Sequence, residues 1–128
     1  MKRVSTIRLS ILALPALVVV GMTAASTPAW ADCGYNAGDW KAGNDGYHQT
    51  CIACHGENGR GTIPGAPDFT RKDGVLSKSH PGLLQRIKNG FISPGASLAM
   101  PPKGGNPDLS DKDINDVLAY MHRQFGCG

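Results

Sequence analysis

Two cysteines three residues apart, Cys51 and Cys54, are followed at once by a histidine, His55. On a helical turn, residues at that spacing share a face. Both sulfurs can therefore form thioethers with the two vinyl groups of one porphyrin, while the adjoining imidazole falls under the ring within reach of its iron. The spacing also serves zinc sites and thioredoxin-like dithiols. Taken by itself, the pentapeptide leaves haem, zinc and dithiol redox chemistry open.

A second candidate ligand lies 45 residues further on, in Met100-Pro101-Pro102. An isolated methionine is usually core filler. This one stands outside any helical stripe, in a glycine- and proline-rich loop that the two prolines stiffen. A thioether sulfur suits haem iron, and His/Met ligation raises the reduction potential, so Met100 is the expected partner of His55. The competitors are weaker. Met121 fits an apolar stripe, and Met1 and Met22 fall in the N-terminal segment. His48 is tethered one turn before Cys51, His80 reads as a surface cap before Pro81, and His122 has polar neighbours. A bis-histidine site using His80 is the main rival.

Helices must position these groups. Residues 37–50 read as the first, with Asn36 and Asp39 resembling a capped start and Trp40, Gly43, Tyr47 and Thr50/Cys51 recurring at helical intervals. Gly43 would permit close crossing by another helix, whereas Gly46 has no evident purpose in the sequence. A loop from 56 to 78 leads to a second helix capped by Ser79 or His80, with Pro81 in its first turn, Leu83, Leu84 and Ile87 as a stripe, and Asn89-Gly90 as its end. After a second loop, 91–109, Ser110 and Asp113 start a helix with Ile114, Val117, Leu118, Met121 and Phe125 on one face. No stretch alternates as a strand should. The expected fold is all-α: three main helices and long loops wrapped around one covalently bound haem.

The N-terminus reads as a targeting segment. Lys2, Arg3 and Arg8 precede an apolar run from Leu9 to Met22, and Ala29-Trp30-Ala31 fits a cleavage site. Residues 1–31 are thus expected to leave as a signal peptide, and the run is short for a retained span. The full chain has 13 basic and 10 acidic residues. Three of the basic ones lie in the leader, so residues 32–128 would be formally neutral. That excludes a strongly basic, nucleic-acid-binding surface. The remaining domain is small and needs a staple, which a covalent porphyrin would supply. Cys33 and Cys127, in an oxidising compartment, are expected to pair and close nearly the whole domain, a loop contributing about 4–5 kcal/mol in the chain-entropy picture. An intermolecular bridge or a free thiol is the alternative.

Together these residues resemble the class I c-type cytochromes across essentially the whole of 32–128. Gly43-x-x-x-Tyr47-x-x-x-Cys51-Ile52-Ala53-Cys54-His55 is similar to that family's first helix and haem motif, and Ile87-Lys88-Asn89-Gly90 with Met100-Pro101 to its sulfur-ligand segment. The resemblance implies that the Pro67 carbonyl, in Ala66-Pro67-Asp68-Phe69, accepts the Nδ1–H of His55, with Pro64 as the other candidate. It implies that Tyr47, Ile87 and Pro101 pack on the haem, and that Tyr120 lies near Gly43. Zinc would leave Met100-Pro101 and the helix order unexplained, and a thioredoxin-like site needs a βαβ pattern that is absent.

With both axial positions filled the iron has no open site, so the expected function is one-electron transfer between redox proteins in the periplasm, by a monomer that is not an enzyme and meets membranes only through its partners. Lys72, Lys78, Lys88 and Lys103 could rim the haem edge, with Asp108, Asp111, Asp113 and Asp116 clustered elsewhere. A haem subunit of an oxidoreductase complex is the first alternative. A haem enzyme or gas sensor with a labile sixth ligand is the second.

Overall fold

Asp39 starts the first helix. Its side chain accepts a hydrogen bond from the Lys41 amide at 2.9 Å, and α1 runs Trp40–Gly46. The computed structural model describes residues 38–126; the expected signal peptide, Asn36, Cys33 and Cys127 lie outside them. The helix begins later than its sequence suggested, because Gly38, with φ +131°, is not helical. It also continues further. A π-helical turn over Tyr47–Cys51 carries it into α2, Ile52–His55, so the attachment residues are the end of one unbroken helical run.

The second and third main helices begin where the sequence placed them. In α3, His80–Asn89, Ser79 occupies the cap position and Pro81 the first turn. In α4, Asp111–Met121, Ser110 and Asp113 form a reciprocal capping box. All five stripe residues are buried: Ile114, Val117, Leu118 and Met121 within α4, and Phe125 in a further π-helical turn over His122–Gly126. Burying side chains such as Ile114 and Leu118 contributes roughly 1.5–3 kcal/mol each.

The core forms where α1 crosses α4. A Cβ on Gly43 would come 1.9 Å from the Asp116 carbonyl oxygen and 2.9 Å from the Val117 nitrogen, so the two backbones touch there. Gly46 also has its reason, since a Cβ there would meet Val117 Cγ2 at 2.9 Å. Tyr120, one turn beyond Asp116 on α4, packs on Tyr47, centroid to centroid 5.2 Å. Asp116 is 3% exposed. It accepts from the Asp39 amide at 2.8 Å and from Lys112 Nζ at 2.5 Å, tying the start of α1 to α4 across 77 positions of chain.

Candidate functional site

The orphan carbonyls at the end of α2 are taken up by the loop that follows. The Gly61 and Thr62 amides donate to the His55 and Cys54 carbonyls at 2.9 Å, and Thr62 Oγ1 donates to the Ala53 carbonyl at 2.7 Å. Beneath the same turn Tyr47, fully buried, donates its hydroxyl to the Gly56 carbonyl at 2.7 Å. The cysteine–histidine turn is therefore clamped on two sides by chain outside the motif.

The Met100 segment is shaped by its own backbone. Gly90, at φ +76°, ends α3, and a Cβ there would come 2.7 Å from the Met100 carbonyl oxygen. That close approach lets Phe91 and Met100 exchange backbone hydrogen bonds of 3.0 and 2.8 Å, an isolated antiparallel bridge closing the loop. The segment is also joined to the attachment helix: Asn106 Nδ2 donates to Thr50 Oγ1 at 3.3 Å.

Between these segments lies a cavity of about 650 Å³, within the range of cofactor sites. Cys51, Cys54 and His55 line it from the helical run, Met100 and Pro101 from the loop, and Ile87 from α3. Residues far apart in sequence are thus brought to one chamber. Pro67 and Pro64 line it too.

His55 is buried, its ring stacks on Phe69 with centroids 4.7 Å apart, and its Nδ1 has no hydrogen-bond partner. Burial pushes its pKa below the ordinary histidine value, favouring the neutral imidazole that binds metals. Burial, with Cys54 adding to it, pushes the Cys51 thiol up to about 11. Dithiol redox sites need the reverse shift. Among the described residues no three His, Cys, Asp or Glu side chains cluster as a zinc site would require. The residues present fit a haem: two sulfurs, one neutral imidazole and one thioether around a chamber with a largely apolar wall.

Three expectations need correction. Tyr47 does not line the cavity; it is buried against Tyr120 and Phe125 and acts as a pin behind the motif. The bond from His55 Nδ1 to the Pro67 carbonyl is not made in this structure, since that nitrogen is unpartnered. The basic and acidic groups are only partly segregated: Lys78 and Lys103 line the cavity, but Lys88 pairs with Asp111 at 2.7 Å and Asp116 is buried as the α1 clamp. His80 does not line the cavity, and its Nε2 lies 2.8 Å from Asn115 Oδ1, which removes the bis-histidine rival. Met121 does border the cavity, from the buried stripe of α4. Sequence reasoning missed the bonds of Thr62 to the motif's carbonyls, the stacking of Phe69 on His55 and the tie from Thr50 to Asn106, contacts that reach across loops and leave no periodic trace.

An all-α chain that gathers a Cys-x-x-Cys-His helix end and a Met-Pro loop around one apolar chamber has the architecture of a small cytochrome c. A family model described as cytochrome c oxidase, cbb3-type, subunit III matches residues 38–121. Cytochrome c-554(548) of Halomonas halodenitrificans is 35% identical over 88 residues, spanning 69% of this chain and 99% of that protein. Cytochrome c6 of Gracilaria tenuistipitata var. liui is 36% identical over 85 residues, 66% of this chain and 72% of that one. The crystal structure of cytochrome cL from Methylophaga aminisulfidivorans shares the fold, with a TM-score of 0.50 at 22% identity, covering 80% of this chain and 69% of that one. The chain belongs to the cytochrome c family of small class I, monohaem electron carriers.

Proposed function

We propose that the chain is an extracytoplasmic one-electron carrier, its haem c attached through Cys51 and Cys54 and ligated axially by His55 and Met100. What supports this most is that these four side chains, on segments 45 residues apart, border a single cavity. Bound there, the haem would supply reversible one-electron chemistry at its iron. The chain's own part is to hold that iron still. Neutral His55, fixed by stacking on Phe69, offers nitrogen, and the Phe91–Met100 bridge limits the travel of the sulfur. In this reading residues 1–31 are removed on export, 32–128 form the working domain, and Cys33 pairs with Cys127. Among the described residues, no helix is long and apolar enough to cross a membrane.

Redox partners would meet the cavity edge, where Leu98 is more than half exposed and Lys78 and Lys103 sit in the lining. Such docking is fast, weak and sensitive to salt. A permanent place in an oxidoreductase complex is the second reading, favoured by the family model's description as an oxidase subunit; elution of the native protein as a free monomer would exclude it.

The test is Met100→Ala in the haem-loaded protein. The oxidised wild type should show the far-red sulfur-to-iron charge-transfer band, and the reduced form should not bind carbon monoxide. The variant should lose the band and take up the gas. An unchanged spectrum would refute the ligand assignment.

A further inference from the structure

The Met100 loop is held from two sides. On one, Gly90 and the Phe91–Met100 bridge fasten it to the end of α3. On the other, residues 101–109 bond among themselves: the Gly104, Asn106 and Leu109 amides donate to the Pro101, Lys103 and Asn106 carbonyls at 3.0, 3.2 and 3.3 Å. Lys103 takes φ +54°, the one positive value outside glycine among the described residues. A lysine occupies that left-handed region only where its surroundings hold it there; here its Nζ donates to the Pro107 carbonyl at 2.9 Å.

The block so formed is turned onto Thr50, the residue immediately before the first attachment cysteine. Asn106 Oδ1 accepts from the Asp108 amide at 3.1 Å, which leaves Nδ2 to face Thr50 and makes the Thr50 hydroxyl oxygen the acceptor. A Cβ on Gly104 would meet Thr50 Cγ2 at 3.0 Å, so the methyl of Thr50 is engaged as well as its hydroxyl. Among the described residues, the Asn106–Thr50 bond is the only hydrogen bond joining residues 101–109 to the helical run 47–55. Thr50 itself lines the cavity.

We infer that the Asn106–Thr50 bond is a latch that governs how readily Met100 gives up the sixth position, and with it the entry of small external ligands. The inference rests on the axial ligation proposed above. A carrier of single electrons needs the same two axial groups in both oxidation states, and losing the sulfur would lower the potential and open the iron. The Phe91 bridge ties the backbone of Met100 to α3; the latch holds the chain beyond it against the attachment helix. Thr50 and Asn106 are positioning residues.

The experiment is rapid mixing of the oxidised, haem-loaded protein with imidazole, as wild type, Thr50→Val, Thr50→Ser and Gly43→Ala. Far-UV circular dichroism and the visible spectrum check folding and haem loading. At high imidazole the rate should level off at that of sulfur release, with loss of the far-red band. Valine keeps the shape and the methyl but cannot accept the bond, leaving Asn106 Nδ2 unpaired; serine keeps the acceptor and drops the methyl. One net hydrogen bond corresponds to a factor of about 2–12, so Thr50→Val should raise the plateau rate by that much while Thr50→Ser stays close to wild type. Gly43→Ala, whose Cβ would meet Asp116 at the α1–α4 crossing, should leave the plateau where it is. A Thr50→Val plateau equal to wild type, a Thr50→Ser protein faster than Thr50→Val, or a Gly43→Ala protein as fast as Thr50→Val would each overturn the latch. A wild type without the far-red band, whose rate climbs with imidazole and never levels, would instead defeat the Met100 ligation on which the latch depends.

Discussion

Gly43→Ala would add one methyl group at the point where α1 and α4 touch. The new carbon would sit 1.9 Å from the Asp116 carbonyl oxygen and 2.4 Å from its carbon, against 3.4 Å or more for ordinary contact. Both atoms are backbone, so no rotamer change relieves the overlap, and the helices would have to part by more than an ångström. Alanine improves helix propensity by about 1 kcal/mol over glycine. Overpacking a close contact costs typically 1–3 kcal/mol and occasionally more, and a backbone clash belongs at the upper end. The separation would also stretch the bonds by which Asp116 holds Asp39 and Lys112. A net loss of about 2 kcal/mol follows, which in a domain of this size lowers Tm by roughly 8–16 °C. Gly46→Ala is the control: its Cβ meets only the Val117 Cγ2 methyl, which can give way, and the propensity gain offsets much of the cost. Thermal unfolding of both haem-loaded variants, followed by far-UV circular dichroism, would measure the difference. If Gly43→Ala melts at or above the wild-type temperature, or no lower than Gly46→Ala, the account of the crossing is wrong.

Ser110→Ala removes the hydroxyl that caps α4 and should cost about 1 kcal/mol in denaturant unfolding. The Ser110 hydrogen bonds hold the Asp113 carboxyl below its usual range. That stabilisation is complete above the unfolded carboxyl value near 3.8 and fades as pH falls through the lower folded value, so the wild type should lose part of its advantage over Ser110→Ala in acid and keep the part that comes from the Asp113 amide bonding to the hydroxyl. Thiol titration of the unfolded, haem-attached protein tests the Cys33–Cys127 pairing: no free thiol is expected, and two would exclude the bridge.

What the sequence revealed is what lies close along the chain. The Ser110–Asp113 cap, the five-residue stripe behind it and the Cys51–His55 motif each occupy a few turns, where helical periodicity turns position directly into placement. The place of Met100 was legible for a related reason: it stands in a loop stiffened by prolines, and the structure puts it on the wall of the cavity that Cys51, Cys54 and His55 also border. What stayed hidden depends on chain distant in sequence. Asp116 reads as one more acid in an acidic run until α1 arrives and brings the Asp39 amide to it, and Tyr47 reads as a haem neighbour until the Gly56 carbonyl claims its hydroxyl. The first helix was placed too early and ended too soon because Asn36 and Asp39 both resemble caps, and because a π-helical turn repeats at no interval that α-periodicity can register.

That wide turn over Tyr47–Cys51 has a consequence for anyone wishing to borrow this motif. The Ile52 amide bonds back five residues to the Tyr47 carbonyl, so the run holds one more residue than an ordinary helix would. Each residue of an α-helix advances about 100°, and the two halves of the run are therefore out of phase by roughly that much. The surface packed on α4 and the surface bearing the sulfurs are set independently of each other. Grafted onto a straight scaffold, the pentapeptide alone would point its cysteines in the wrong direction; the portable unit begins at Tyr47.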